Sequence, residues 1–199
     1  MLEILATVLG LTQGVLVMLN KRSNWIVYAA QMAVLVAFSY QMSLYGDMVQ
    51  NGLFFFWCIF SFFAWGKAEC GKITVEDNRS RIVLLIIIVL FTLLGGHLLS
   101  NTDDPMPFTD SFTTVTTFIA MYLMTIHKVE AWVVWFFNDV AYMYQYFYLP
   151  DQALYLFCLY VIWTCLAVGS FINWLRIYNE ENYDPIADGQ RWHCGIGTK

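Results

Sequence analysis

The sequence predicts an all-α integral membrane protein of seven transmembrane helices, and three observations carry that prediction. The chain of 199 residues is 59% hydrophobic and only 13% charged, against about a quarter charged in an ordinary soluble domain. The charges are confined between long apolar runs, and the positive ones fall on alternate connections only. The runs cover residues 4–20, 23–46, 48–66, 82–102, 111–126, 131–150 and 152–175, with Asp139 the one charge inside them. Crossing a hydrocarbon core of about 30 Å takes about 20 helical residues, so two runs fall slightly short. Burying this many all-round apolar helices in a soluble core of a 23.1 kDa chain is geometrically unworkable.

Orientation follows from Lys and Arg, counted connection by connection. Lys21 and Arg22 occupy the first connection; Lys67, Lys72, Arg79 and Arg81 the third; Lys128 the fifth; Arg176, Arg191 and Lys199 the tail. Together these are all 10 basic residues. The N-terminus and the second, fourth and sixth connections carry none. The basic set is therefore expected in the cytoplasm, with the N-terminus outside and the C-terminus inside. A missed or invented span would break this segregation.

Each element can be justified in order. The start, Met1-Leu2-Glu3, has no basic n-region, so the first span is expected to be retained rather than cleaved. In the second and third spans Tyr28, Gln31 and Asn51 are the polar groups deep enough to matter. Residues 67–81 read as a polar turn, and His97, near the outer end of the fourth span, as a local hydrogen-bonding residue. The outer connection at 101–108 carries Pro105 and Pro107 and leads into Asp110, a good helix entry. Beyond Arg176 the chain turns polar and a poorly ordered tail is expected. Cys58, Cys158 and Cys165 lie within spans and Cys70 and Cys194 on the reducing side, so no structural disulfide is expected.

A weak internal repeat relates the ends of the chain. Tyr40-Gln41 followed by Asp47 recurs as Tyr144-Gln145 followed by Asp151, and Lys21 and Trp25 are echoed by Lys128 and Trp132. The repeat aligns spans one to three with spans five to seven in parallel orientation, with span four as a linker. The expected division is a first three-helix bundle at 1–66, a cytoplasmic loop and linker helix at 67–103, a second bundle at 104–176 and a tail at 177–199. Parallel repeats around a mid-membrane site are a known transporter plan.

The sixth span holds the strongest chemical signal. Trp132, Trp135, Asp139, Tyr142 and Tyr146 are spaced three, four, three and four apart, one stripe within about 80° of helix surface. Asn138 flanks it. A carboxyl group at mid-span costs a few kcal/mol facing lipid, which directs Asp139 to the bundle interior. Aromatic faces beside a carboxylate suit a flat cationic ring. The competing reading makes Asn138 and Asp139 interhelical hydrogen-bond partners and the aromatics packing, and Trp132 equally fits an interfacial belt. In the fifth span Asp110, Thr113, Thr114 and Thr117 share a face that could line a pocket with hydroxyls, although such threonines also bond their own helix.

Absences narrow the class. Zinc-protease, hydrolase and phosphate-loop motifs are missing, and Trp192-His193-Cys194 has no partners at metal-site spacing. No Lys or Arg lies inside a span, which removes a Schiff-base retinal protein. No enzyme activity, metal, cofactor or nucleic-acid partner is expected; the expected partners are the lipid bilayer and a small molecule.

These residues resemble the bacterial Pnu-type vitamin transporters over about residues 1–176. The resemblance rests on Pro107-Phe-Thr-Asp-Ser-Phe-Thr-Thr114, Lys128, Trp132-x-x-Trp135, Asp139-Val140-x-Tyr142 and Leu166-Ala-Val-x-Gly169 with Trp174. In the first half it adds Asn24-x-x-x-Tyr28, Leu44-Tyr-Gly-Asp47, Asn51 and Ala64-Trp65. It implies a three-plus-one-plus-three fold similar to the SWEET sugar transporters but full length in one chain, a homotrimer, in the cytoplasmic (inner) membrane. It also implies facilitated diffusion of an unchanged vitamin, trapped afterwards by a cytoplasmic kinase, with Trp132, Trp135, Asp139 and Tyr142 lining the pocket. Some members carry Asn at the position of Asp139; here Asn138 and Asp139 stand side by side, and either could reach the substrate.

The family divides among nicotinamide riboside, thiamine and riboflavin. The internal carboxyl group favours the first two, which carry cationic aromatic rings, over neutral riboflavin. The expectation is nicotinamide riboside uptake, with Asp139 offsetting the ring charge and Trp135 and Tyr142 stacking on it. Asn138, Gln31, Asn51 and Thr113 or Thr117 would bond the amide and ribose. Thiamine transport is the nearest alternative, and a non-transporting receptor or assembly protein the alternative of another class.

Overall fold

The computed structural model describes residues 2–41, 45–67, 72–101, 104–148 and 153–183, and all regular structure there is helical. Seven α-helices follow in order: α1 Leu2–Met18, α2 Asn24–Gln41, α3 Tyr45–Lys67, α4 Asn78–Leu99, α5 Pro107–Thr125, α6 Glu130–Tyr148 and α7 Ala153–Tyr183. Among the described residues one helix occupies each apolar run, and α7 continues past the expected start of the tail at 177 to Tyr183. The side chains of Asp47, Tyr146 and Asp151, and the residues Cys70, Cys194 and 184–199 of the expected tail, lie outside the described residues.

Among the described residues two helices are individually long and apolar enough to cross a bilayer: Asn78–Leu99 with mean hydropathy 2.8 and Phe157–Glu180 with 1.7. Shorter apolar stretches, Ile4–Met18, Asn24–Phe38 and Asn51–Trp65, occupy α1 to α3. α4 turns its apolar side chains outward: Leu85, Ile86 and Leu90 are 62%, 59% and 59% exposed. That much uncovered hydrocarbon is what a lipid-facing helix presents and a water-facing one does not.

The chain forms two compact units, one of residues 1–72 with the end of α7 from Arg176, the other of Ile73–Leu175. In the first, α1 packs on α2 and α2 on α3. Gly10 of α1 lets Gln31 approach its backbone so closely that an added Cβ would stand 2.5 Å from Nε2. In the second, α5 packs between α4 and α6, and Gly96 gives the Phe108 ring room against α4. Asp77 caps α4 by accepting the Ser80 amide at 3.1 Å. Pro107 opens α5, with Asp110 in its first turn.

The two units turn one corner the same way. α1 ends with Asn20 at φ 52° and α5 with His127 at φ 59°, the left-handed conformation that closes a helix. Lys21 N–H reaches back to Leu16 O at 2.9 Å, and Lys128 N–H to Leu123 O at 2.9 Å. Asn20 N–H bonds Val17 O at 2.9 Å, and His127 N–H bonds Met124 O at 3.2 Å. Both helices that follow begin with a buried tryptophan set edge-on to another: Trp25 against Trp65 at 5.7 Å and 88°, Trp132 against Trp174 at 5.3 Å and 86°.

The segment before α4 is more than the polar turn expected. Thr74 N–H bonds His127 O at 2.9 Å and Val129 N–H bonds Thr74 O at 3.1 Å, an isolated parallel bridge laid over the α5–α6 corner. Ile73 is fully buried beneath it. Glu130 accepts the Glu76 amide at 3.1 Å and the Arg81 guanidinium at 2.7 Å. Lys128 Nζ stands 3.4 Å from Glu76 Oε1.

Candidate functional site

The second unit gathers the polar groups that the sequence singled out on α5 and α6. α5 contributes hydroxyls and α6 an amide and a carboxyl group, because small hydroxylated residues let those helices come close. Asn138 is 1% and Asp139 5% exposed, both in the middle of α6. Thr113 and Thr116 are 1% and Thr117 is 9% exposed on α5. Thr114, placed on the same face by spacing, is exposed instead.

The contact that orders this interior is the one between Thr116 and Asn138, Oγ1 to Oδ1 at 2.8 Å. Spacing along α5 gave no reason to single out Thr116. Its Oγ1 also lies 2.6 Å from Phe112 O, the back-bond typical of a helical threonine. Asn138 is thereby fixed in the core, while the Asp139 carboxyl group has no hydrogen-bond partner among the described residues. The Tyr142 hydroxyl, one turn on, interacts with the Thr113 and Thr117 hydroxyls. Its ring stacks on Tyr160 of α7 at 4.5 Å and 24°. Nearer the α5 start, Gln145 Nε2 donates to Asp110 Oδ1 at 2.9 Å. Asp110, Thr113, Thr117, Asn138, Asp139 and Tyr142 thus line one interior formed by α5 and α6.

The stripe on α6 divides. Trp135 is half-buried. Trp132, two turns from Asp139, belongs to an aromatic group at the corner, where His127 stacks on Trp174 at 6.2 Å and 18°. Burial there pushes the His127 imidazole down to about 4. In the first unit Tyr28 stacks near Trp25, at 6.3 Å and 26°, Gln31 packs on Gly10, and Asn51 sits half-buried on α3. The residues that sequence reasoning missed, Thr116, Tyr160 and Trp174's partner His127, act through neighbours on other helices, which no spacing along one helix reveals.

Comparison with known proteins adds a second kind of observation. A family model described as "Nicotinamide mononucleotide transporter" matches residues 1–176. The chain is 25% identical over 186 residues to the nicotinamide riboside transporter PnuC of Neisseria mucosa, covering 86% of this chain and 71% of that one. A crystal structure of the vitamin B3 transporter PnuC has the same fold, with TM-score 0.73 and 24% identity over 90% of this chain and 82% of that chain.

Proposed function

Because this chain belongs to the nicotinamide mononucleotide transporter family, a family of membrane transporters rather than enzymes, we propose that it carries nicotinamide riboside into the cell. The observation that carries this choice is the buried pair Asn138 and Asp139 among the α5 hydroxyls. Asp139 offsets the positive charge of the pyridinium ring. Asn138, Thr113 and Thr117 bond the carboxamide and ribose, Trp135 and Tyr142 face the ring, and Trp132 closes the cytoplasmic end.

The same pair argues for the riboside over the mononucleotide. A phosphate would need a cation, yet no Lys or Arg lies in any of the seven apolar runs and the one charge there is acidic. Transport is by facilitated diffusion, with phosphorylation by a cytoplasmic kinase trapping the vitamin. The confinement of Lys and Arg to alternate connections supports a C-terminus on the cytoplasmic side. The shared corner geometry at Asn20 and His127 supports a three-plus-one-plus-three parallel repeat, with bundles at 1–66 and 104–176 and the linker at 67–103. Assembly as a homotrimer belongs to the same proposal.

Calorimetric titration of the purified chain with nicotinamide riboside, its mononucleotide, thiamine and riboflavin in parallel tests the reading. Tight binding of the riboside alone supports it. Binding of thiamine changes the substrate but keeps the pocket, and silence from all four leaves a receptor or assembly role on this fold. Uptake that persists with a protonophore present supports the passive mechanism.

A further inference from the structure

A cleft lies outside the α5–α6 interior, between the start of α4 and the end of α5. It is an open cleft of about 300 Å³, lined by the polar Glu76 and Arg79 and by Val83, Leu84, Tyr122 and Leu123. Most charged groups around it are already engaged. Arg81 is held by Glu130 at 2.7 Å. The Asp77 carboxyl group is taken by Ser80, whose amide and hydroxyl hold it below the usual carboxylate range. Lys128 Nζ meets Glu76 Oε1 at 3.4 Å, a long contact. Arg79 makes no ion pair among the described residues. The cleft therefore offers the Arg79 guanidinium, the loosely paired Glu76 carboxylate and an apolar floor.

The order of these groups along α4 fixes what they meet. Polar residues stand in the first turn, and from Ile82 onward the helix exposes hydrocarbon, with Ile82 at 57% and Leu85 at 62%. The cleft sits where a headgroup layer gives way to acyl chains, on the side that carries the basic connections. Tyr122, 51% exposed, places an amphipathic ring at that level.

We propose that this cleft holds a phospholipid with a primary ammonium headgroup, phosphatidylethanolamine, from the cytoplasmic leaflet. Arg79 binds the phosphate, Glu76 accepts from the ammonium, and Val83, Leu84 and Leu123 receive the start of an acyl chain. A balanced acid and base select against two other lipids. Phosphatidylglycerol has no cation for Glu76, and the quaternary ammonium of phosphatidylcholine has no N–H to donate. The assignment rests on the membrane reading of the chain, not on the identity of the vitamin.

Native mass spectrometry of the full chain in detergent, offered equal amounts of these three lipids with identical acyl chains, tests it. Phosphatidylethanolamine should be retained above the other two. Arg79→Ala should lower its retention about threefold to fivefold, the size of one partly exposed charge contact. Glu76→Gln should remove the preference over phosphatidylcholine. Leu84→Trp, which fills the apolar half and alters no charge, should also release the lipid. Equal retention of all three lipids, or a preference for phosphatidylglycerol, overturns the proposal, as does unchanged retention in both Arg79→Ala and Leu84→Trp. Riboside titration of Arg79→Ala should match the unaltered chain. Failure of the unaltered chain to bind riboside would sink the transport reading and leave the lipid result to stand by itself.

Discussion

α2 and α6 begin alike and then part. Each follows a left-handed corner residue and opens with an edge-on tryptophan pair. The tryptophans head the same residue spacing: Tyr28, Gln31 and Met32 follow Trp25 as Trp135, Asn138 and Asp139 follow Trp132. Met32 is buried at 4% and Asp139 at 5%, so the two interiors are equally closed but chemically opposite. A corner motif sets where the helix starts and how it packs, and is indifferent to what the next two turns carry. The same corner can therefore be followed by an apolar residue in one helix and a carboxyl group in the other.

The largest effect should come from making the second helix as uncharged as the first. Asp139→Asn keeps size and burial but removes the charge, and should weaken riboside binding about tenfold to hundredfold, the range for a buried charged contact. Met32→Leu, its counterpart, should leave affinity unchanged in the same titration. Equal affinities for Asp139→Asn and the unaltered chain would remove the carboxylate from the account.

The corners also differ in burial, and pH should expose this. His127 is 1% exposed beneath the Thr74 strap, and its imidazole is held down to about 4. The unfolded chain binds a proton near the ordinary histidine value while the folded one does not. Stability from this group is thus complete above that value and lost as pH falls toward 4. By about pH 5 the loss should be about 2 kcal/mol, read from thermal melts in detergent. His127→Gln should flatten that slope, and an unaltered slope would mean that other groups set it.

Thr116→Val removes the oxygen that holds Asn138 and should cost about 1 kcal/mol in riboside affinity, whereas Thr114→Val, on an exposed position, should cost nothing. The smallest effects concern how each corner is clamped. Arg22 donates to Phe62 O at 2.8 Å and lies 3.9 Å over its ring, so Arg22→Met should lower stability by about 1 kcal/mol. Lys128→Met, losing one pair at 3.4 Å, should lower it by no more than about 0.5 kcal/mol. The reverse ranking would show that the strap's charges, not its backbone bonds, secure the second corner.

Much of the buried α5–α6 interior was legible and part of it was not. Asp139 announced itself because an ionisable group within an apolar run has only an interior to face. Thr113 and Thr117 followed from the same face of α5. Thr116 did not, since its value depends on Asn138 arriving from another helix at 2.8 Å. Trp132 shared a stripe with Asp139, yet its ring serves the corner with Trp174, because that partner comes from α7. The loop before α4 looked like solvent-facing polar chain. Only pairing with residues far along the sequence, Thr74 with His127 and Val129, turned it into a strap.

The sequence by itself determined that a helix forms at each apolar run, though not where each ends, since α7 runs on through polar residues to Tyr183. Helix formation there is set by local physics, since a bilayer demands about 20 apolar residues per crossing and expels charge to the connections. The tertiary structure alone decided which threonine holds Asn138, which tryptophans leave the stripe for the corner, and which loop is bound. Each of those rests on a hydrogen bond or ring contact between elements distant in the chain, and residue order does not encode that geometry until the helices have packed.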